Sequence, residues 1–209
     1  MNIANHVERV AARLKDHPAI LFEGKSVSYS TLDYCASALA DALARHGVRR
    51  GDRIALYLPN IPAFALAYLA GLKIGAIVVS INSIFKWEEV RHIVNDSRPK
   101  VLFTTEELLD EIALEDWLAR GDPTLRAVSM QPDDPAVLLY SSGTTGVPKG
   151  VTLTHHNIET NMRTAAQCSG YRPGDRLALF LPLFHVFGQN YIMNGGFEAG
   201  VTLALFRRF

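Results

Sequence analysis

At 209 residues, 48% of them hydrophobic and 20% charged, the chain is long for one domain and can bury a sizeable core. Its 21 basic and 21 acidic residues cancel, which removes the electrostatic case for a nucleic-acid or anionic-membrane partner. Only Cys35 and Cys168 are present, far apart and without C-x-x-C spacing, so neither a disulfide framework nor a zinc site is expected.

In chain order, Val7, Val10, Ala11 and Leu14 recur at helical spacing over residues 5–15, and His17-Pro18 ends that helix. Two short strand-like runs, Ala19–Phe22 and Ser26–Tyr29, flank Glu23-Gly24-Lys25 and read as a hairpin. Ser30 or Thr31 is the expected cap of a helix reaching about His46, with Leu32, Cys35, Leu39 and Leu43 inward and Gly47 as the stop. Asp52–Leu58 reads as a strand.

Residues 61–81 form the most apolar stretch. Pro62, Gly71, Lys73 and Gly75 interrupt it, so a buried helix to about Lys73 followed by a strand, Ala76–Ile81, fits better than a membrane span. Trp87–Asp96 is amphipathic, and Lys100–Thr104 is strand-like. The alternation of strand and helix from Asp52 to Thr104 is the rhythm of a parallel sheet with crossover helices, hence an α/β fold. Glu106–Arg120 reads as an acidic surface helix, and its carboxylates as a solvated face and not a metal site. Gly121–Asp134 is a polar connector.

Ala136–Tyr140 has the character of a buried strand, and Val151–Thr154 of another. Between them stand Ser141, Ser142, Gly143, Thr144, Thr145, Gly146 and Lys149 within nine residues. Glycines let backbone N–H groups converge on an anion, hydroxyls add donors, and a lysine supplies a mobile point charge. That composition suits a phosphate chain, although such a cluster between two strands also makes a plain hairpin loop. It is not a Walker A loop, because Pro148 precedes Lys149 and Gly150 follows it. Downstream, His155-His156 is a weak metal pair, Asn157 is the expected N-cap of a helix to about Cys168, and Leu177–Leu181 and Val201–Phe209 read as strands. His185 lies among aromatics in Pro182-Leu-Phe184-His185-Val-Phe187-Gly188, where a lone histidine is usually a satisfied core residue.

The string Tyr140-Ser-Ser-Gly-Thr-Thr-Gly-Val-Pro-Lys149-Gly150 closely resembles the signature loop of the AMP-forming adenylate enzymes. These are the acyl-CoA synthetases, the adenylation domains of nonribosomal peptide synthetases and the luciferases. The likeness covers nearly all of the chain. It implies the N-terminal part of an adenylate-forming enzyme's large domain over residues 1–209, without the C-terminal domain. The family's Mg²⁺-serving Glu, ribose-binding Asp and catalytic Lys find no match here. It further implies ATP, Mg²⁺ and CoA as ligands, with Ser141, Ser142, Gly143, Thr144, Thr145, Gly146 and Lys149 on the ATP phosphates and Thr144 or Thr145 near Mg²⁺. His185 would border the carboxylate substrate, and Phe184 and Phe187 would form an apolar acyl wall or equally belong to the core.

The activity implied is ATP-dependent activation of a carboxylic acid, fatty or aryl, to an acyl-adenylate and then an acyl-CoA thioester. A truncated non-catalytic nucleotide- or partner-binding module is the alternative, and an unrelated phosphate-binding NTPase a third. Met1–His6 lacks the basic-then-apolar pattern of a secretory leader, so a cytoplasmic setting is expected. If the missing half normally covers Leu177–Leu181 and Val201–Phe206, these strands should leave an open apolar edge and drive self-association.

Overall fold

Hydrophobic periodicity sorts the chain into two sheets with helices packed on them. The structure, a computed structural model, describes residues 1–105, 119, 121–141 and 148–207. Most of the acidic segment 106–120 and residues 142–147 of the signature loop lie outside the described residues.

The elements are α1 (Ala4–Leu14), β1 (Pro18–Phe22), β2 (Lys25–Ser28), α2 (Tyr29–Arg45), β3 (Arg53–Tyr57), α3 (Pro62–Lys73), β4 (Ile77–Ser80), α4 (Trp87–Ser97), β5 (Val101–Thr104), β6 (Pro135–Ser141) and β7 (Lys149–Thr154). They continue with α5 (His155–Cys168), β8 (Arg176–Leu179), a π-helix (Phe187–Asn194), α6 (Gly195–Ala199) and β9 (Thr202–Leu205).

The first sheet has the order β5-β3-β4-β6-β7, parallel except for the β6/β7 hairpin. This is the expected parallel-rich α/β sheet. From β4 the chain returns to the far side of β3 to form β5, then crosses to the far side of β4 to form β6. Such a reversal leaves a crevice at the carboxyl ends of the strands, where open α/β sheets bind ligands. Of the second sheet, β2-β1-β9-β8, the β1/β2 hairpin is the expected one, whereas its joining to β9 and β8 has no local signal, because β1 and β9 pair across most of the chain length.

Local chemistry explains most boundaries. Residues 61–81 do split into α3 and β4, and α3, apolar on all sides, packs on α2 and on β3 and β4. No helix among the described residues is long and apolar enough to cross a membrane. Two caps differ from expectation. The α2 cap is Ser28, whose Oγ accepts from Thr31 N at 3.1 Å, and neither Ser30 nor Thr31 takes that place. The helix starts earlier because Tyr29 is needed in the core, where its hydroxyl donates to Val201 O at 2.7 Å. The α5 cap is Thr154, and Asn157 sits at N3 as the reciprocal half of a capping box.

The edge expectation holds for one strand only. β8 is an outer strand of its sheet, whereas β9 is interior, paired in parallel with both β1 and β8 and largely buried.

Buried charge ties the helices together. Lys73, 1% exposed, ends α3 and contacts Glu8 of α1 at 2.6 Å and Asp33 of α2 at 2.8 Å. Burial alone would raise the Glu8 pKa, but the Lys73 ammonium and the Ala127 N–H hold it below the ordinary carboxylate value. On the other face of α1, His6 lies between Glu159 of α5 and Glu198 of α6. His155, fully buried, accepts from Ile3 N through Nδ1 at 3.3 Å. Its burial lowers its pKa from 6.5 to about 4.

Two outcomes follow. Lys73→Met, which leaves Glu8 and Asp33 buried without their cation, should lower unfolding free energy by about 3–5 kcal/mol in urea titrations. For His155 the folded pKa lies below the unfolded one, so unfolding takes up a proton between about pH 6.5 and about pH 4. Stability is complete above that window and falls as pH drops, by roughly 1 kcal/mol between about pH 7 and about pH 5.5. His155→Gln should flatten this slope, and an unchanged slope would assign it to other groups.

Candidate functional site

The carboxyl ends of the parallel strands carry the polar and aromatic side chains that sequence alone left scattered. β6 ends in Tyr140 and Ser141, and Ser141 pairs with Lys149 as the last register position of the β6/β7 hairpin. The two ends of the signature segment therefore face each other. Both Ser141 and Lys149 are exposed. Gly150 lies opposite Tyr140, and a Cβ there would stand 3.2 Å from the Tyr140 ring, so the signature glycine makes room for the tyrosine. The Tyr140 hydroxyl donates to Asp96 of α4 at 2.5 Å, and burial together with that carboxylate pushes its pKa up. His92, also on α4, contacts Pro148 O at 3.2 Å, so α4 braces both sides of the hairpin.

The segment Leu181–Gly188 is brought to the same end by two buried amides, which the sequence reading did not single out. Asn60 follows β3; its Oδ1 accepts from Leu183 N at 2.8 Å and its Nδ2 donates to Leu181 O at 2.9 Å. Gln189 Nε2 donates to Leu183 O at 3.0 Å and to Ser80 Oγ, at the end of β4, at 2.7 Å. Both amides are buried. The only local signal at Asn60 is the Pro59-Asn60 pair, which ends a strand and says nothing about a partner more than a hundred residues away.

This clamp places Phe184 and His185 beside the hairpin. A cavity of about 460 Å³ is lined there by Tyr140, Ser141, Val151, Phe184 and His185, among others. Ser141, Phe184 and His185 thus come together as a set. Phe187 does not join them: its ring stacks on Tyr191 at 4.8 Å, and it lines neither this cavity nor the larger one beside it. His185 is exposed, with Nδ1 accepting from Phe187 N at 3.2 Å, so it is not the satisfied core histidine of the plainer reading.

Ser142, Gly143, Thr144, Thr145 and Gly146 lie outside the described residues. So does the expected Mg²⁺ position on Thr144 and Thr145. Among the described residues no group of three or more His, Cys, Asp or Glu side chains could hold a metal ion.

A second, open cavity of about 890 Å³ lies on the other side of Phe184, lined by Tyr57, Asn60, Ile84, Leu181 and Arg207, among others. Both cavities open at the strand ends, where a ligand of an α/β sheet belongs.

The family described as AMP-binding enzyme matches residues 7–209. The chain belongs to that family. Among AMP-binding relatives, the 3-hydroxybenzoate–CoA ligase of Aromatoleum sp. (strain CIB) is 31% identical, over 97% of this chain and 44% of its own length. The long-chain-fatty-acid–CoA ligase FadD13 of Mycobacterium tuberculosis is 32% identical over 88% of this chain and 40% of its own. In structure, the anthranilate CoA ligase AuaEII in complex with anthranoyl-AMP superposes with a TM-score of 0.89 at 26% identity, covering 100% of this chain and 44% of that one. The chain thus spans less than half the length of the curated AMP-binding enzymes it matches.

Gly188, in the first turn of the π-helix, lies against the backbone of the site segment. A Cβ at this position would stand 2.4 Å from the Pro182 carbonyl oxygen, a backbone atom that cannot swing away. Gly188→Ala should therefore force the Leu181–Gly188 segment apart, cost about 1–3 kcal/mol in thermal or urea unfolding, and shift the His185 ring resonances. A variant with unchanged stability and an unchanged His185 spectrum would show that the loop has room to spare.

Proposed function

We propose that this chain forms the acid- and phosphate-holding part of an AMP-forming acid–thiol ligase that acts on aryl or fatty acids. The observation that carries the reading is the cavity shared by the base of the signature hairpin and the Phe184-His185 segment. It would bring an acid's carboxylate next to the ATP phosphates. Relatives named as ligases of hydroxybenzoate, coumarate and long-chain fatty acids support both acid classes.

In the reaction, a carboxylate oxygen attacks the α-phosphorus of ATP. The new P–O bond forms as the bond to the bridging oxygen breaks, and pyrophosphate leaves. A thiol sulfur, that of CoA, then attacks the acyl carbonyl carbon, releasing AMP and a proton. Negative charge grows on the departing pyrophosphate. Lys149, with Ser141 and the hydroxyls and backbone N–H groups of Ser142–Gly146, would hold the β- and γ-phosphates as that happens. His185 would face the carboxylate and Phe184 the acid's apolar body. Lys149 stands at the end of β7, so the strand register fixes where its charge begins. An open edge at β8 supports association with further polypeptide or with a second copy. Zero net charge and two free cysteines are in keeping with a cytoplasmic setting.

The alternative reading is a nucleotide- or partner-binding module without turnover. Calorimetric titration of the chain with ATP, followed by hydroxamate trapping with a panel of aryl and fatty acids, separates the two. The expected result is ATP binding that weakens about tenfold to a hundredfold in Lys149→Ala, the worth of a charge-assisted hydrogen bond, with acid-dependent release of pyrophosphate. ATP binding without hydroxamate would select the module. Lys149→Ala binding ATP as tightly as the parent would sink the phosphate-loop assignment.

A further inference from the structure

The two cavities at the strand ends are separated by a thin wall. Its main element is Phe184, half-buried, which lines both of them. The rest is the turn after β4. Asn82 and Phe85 face the cavity of about 460 Å³ beside Ser141 and His185, whereas Ser83 and Ile84 face the cavity of about 890 Å³. The turn is held rigidly: Asn82 Oδ1 accepts from Ile84 N at 3.0 Å, and the Tyr57 hydroxyl donates to Phe85 O at 2.8 Å. The backbone that carries Phe184 is held as well, because the peptide groups on both sides of its neighbour Leu183 are taken by Asn60 and Gln189. The wall is thus made of one ring and one turn, and the ring is the part that lines both cavities and that a side-chain change removes without touching a backbone hydrogen bond.

We propose that Phe184 is the specificity-determining residue that sets acid length in this chain: it confines the acid to the smaller cavity and so selects a compact aryl acid. The larger cavity is the space an alkyl tail would enter once the ring is gone. This rests on the functional reading above. A hydrocarbon tail suits the larger cavity better than a phosphate-bearing thiol does. Its lining is mainly apolar, with Tyr57, Ile84, Phe180 and Leu181. Arg207, the cation in that lining, is already paired with Glu23 at 3.1 Å and lies over the Phe22 ring at 5.3 Å. Each methylene that enters an apolar site is worth about fourfold in affinity, so a tail reaching past the wall by a few carbons has a large effect to show.

The test is equilibrium binding of benzoate, octanoate and dodecanoate to the 209-residue chain, measured by calorimetry for the parent, Phe184→Ala and Phe184→Trp. The parent should prefer benzoate. Phe184→Ala should weaken benzoate and tighten dodecanoate, moving their affinity ratio by at least about tenfold, while Phe184→Trp keeps the parental order. Adding Ile84→Glu to Phe184→Ala places a carboxylate in the larger cavity and should abolish the gain. Circular dichroism of each variant separates this from misfolding. If the parent binds benzoate and Phe184→Ala leaves the ratio unchanged, the partition is overturned and the functional reading stands. A gain that survives Ile84→Glu would overturn the route of the tail. Failure of the parent to bind any of the acids would overturn the functional reading and the partition together.

Discussion

The peptide groups of Leu183 are the point on which the site depends. The N–H is accepted by Asn60, which follows β3, and the C=O is donated to by Gln189, which also reaches the end of β4 through Ser80. A segment without regular structure would otherwise expose unpaired backbone groups near the core, at a cost of about 1–3 kcal/mol each. Two side-chain amides satisfy them, and in doing so fix a loop that carries an aromatic ring and an imidazole. The parallel pairing of β3 with β4 and of β4 with β6 makes this possible, because it brings the ends of three strands from distant parts of the chain to one side of the sheet.

The same logic governs the buried ion pairs and polar clusters. Lys73 with Glu8 and Asp33, and His6 with Glu159 and Glu198, join helices that hydrophobic packing alone could seat in several rotations. Such groups add little net stability relative to an apolar replacement, since desolvation offsets most of the attraction. Their contribution is to make misplacement of a helix costly. α1 is held this way on two faces, by Lys73 of α3 on one and by α5 and α6 on the other. Its register is in turn felt at His155, the residue that begins α5 immediately after the hairpin strand β7.

Much of the fold was legible. The α3/β4 break at Ile74–Ala76, the β1/β2 hairpin and the strand–helix alternation through β5 are local patterns, and local patterns survive folding. The caps were less so. The cap of α2 is Ser28 and not Ser30 or Thr31, because Tyr29, which has the pattern of a strand residue, belongs to the helix. Its place in the helix is fixed by a hydrogen bond to Val201, which no local pattern contains. β9 looked like an exposed end and is an interior strand, since its partners β1 and β8 come from both halves of the chain.

At the site, the sequence by itself placed a hydroxyl- and glycine-rich segment ending in Lys149 between two strands, and made the chain α/β. Those properties reside in contiguous residues. Tertiary structure decided which aromatic side chain faces the cavity. Phe184 and Phe187 are equivalent in sequence, both within two residues of His185, yet Phe187 turns onto Tyr191 along the π-helix while Phe184 stands between two cavities. Their difference depends on amides at positions 60 and 189 and on a turn at 82–85. Only the folding of the sheet brings those positions within hydrogen-bonding range of the loop.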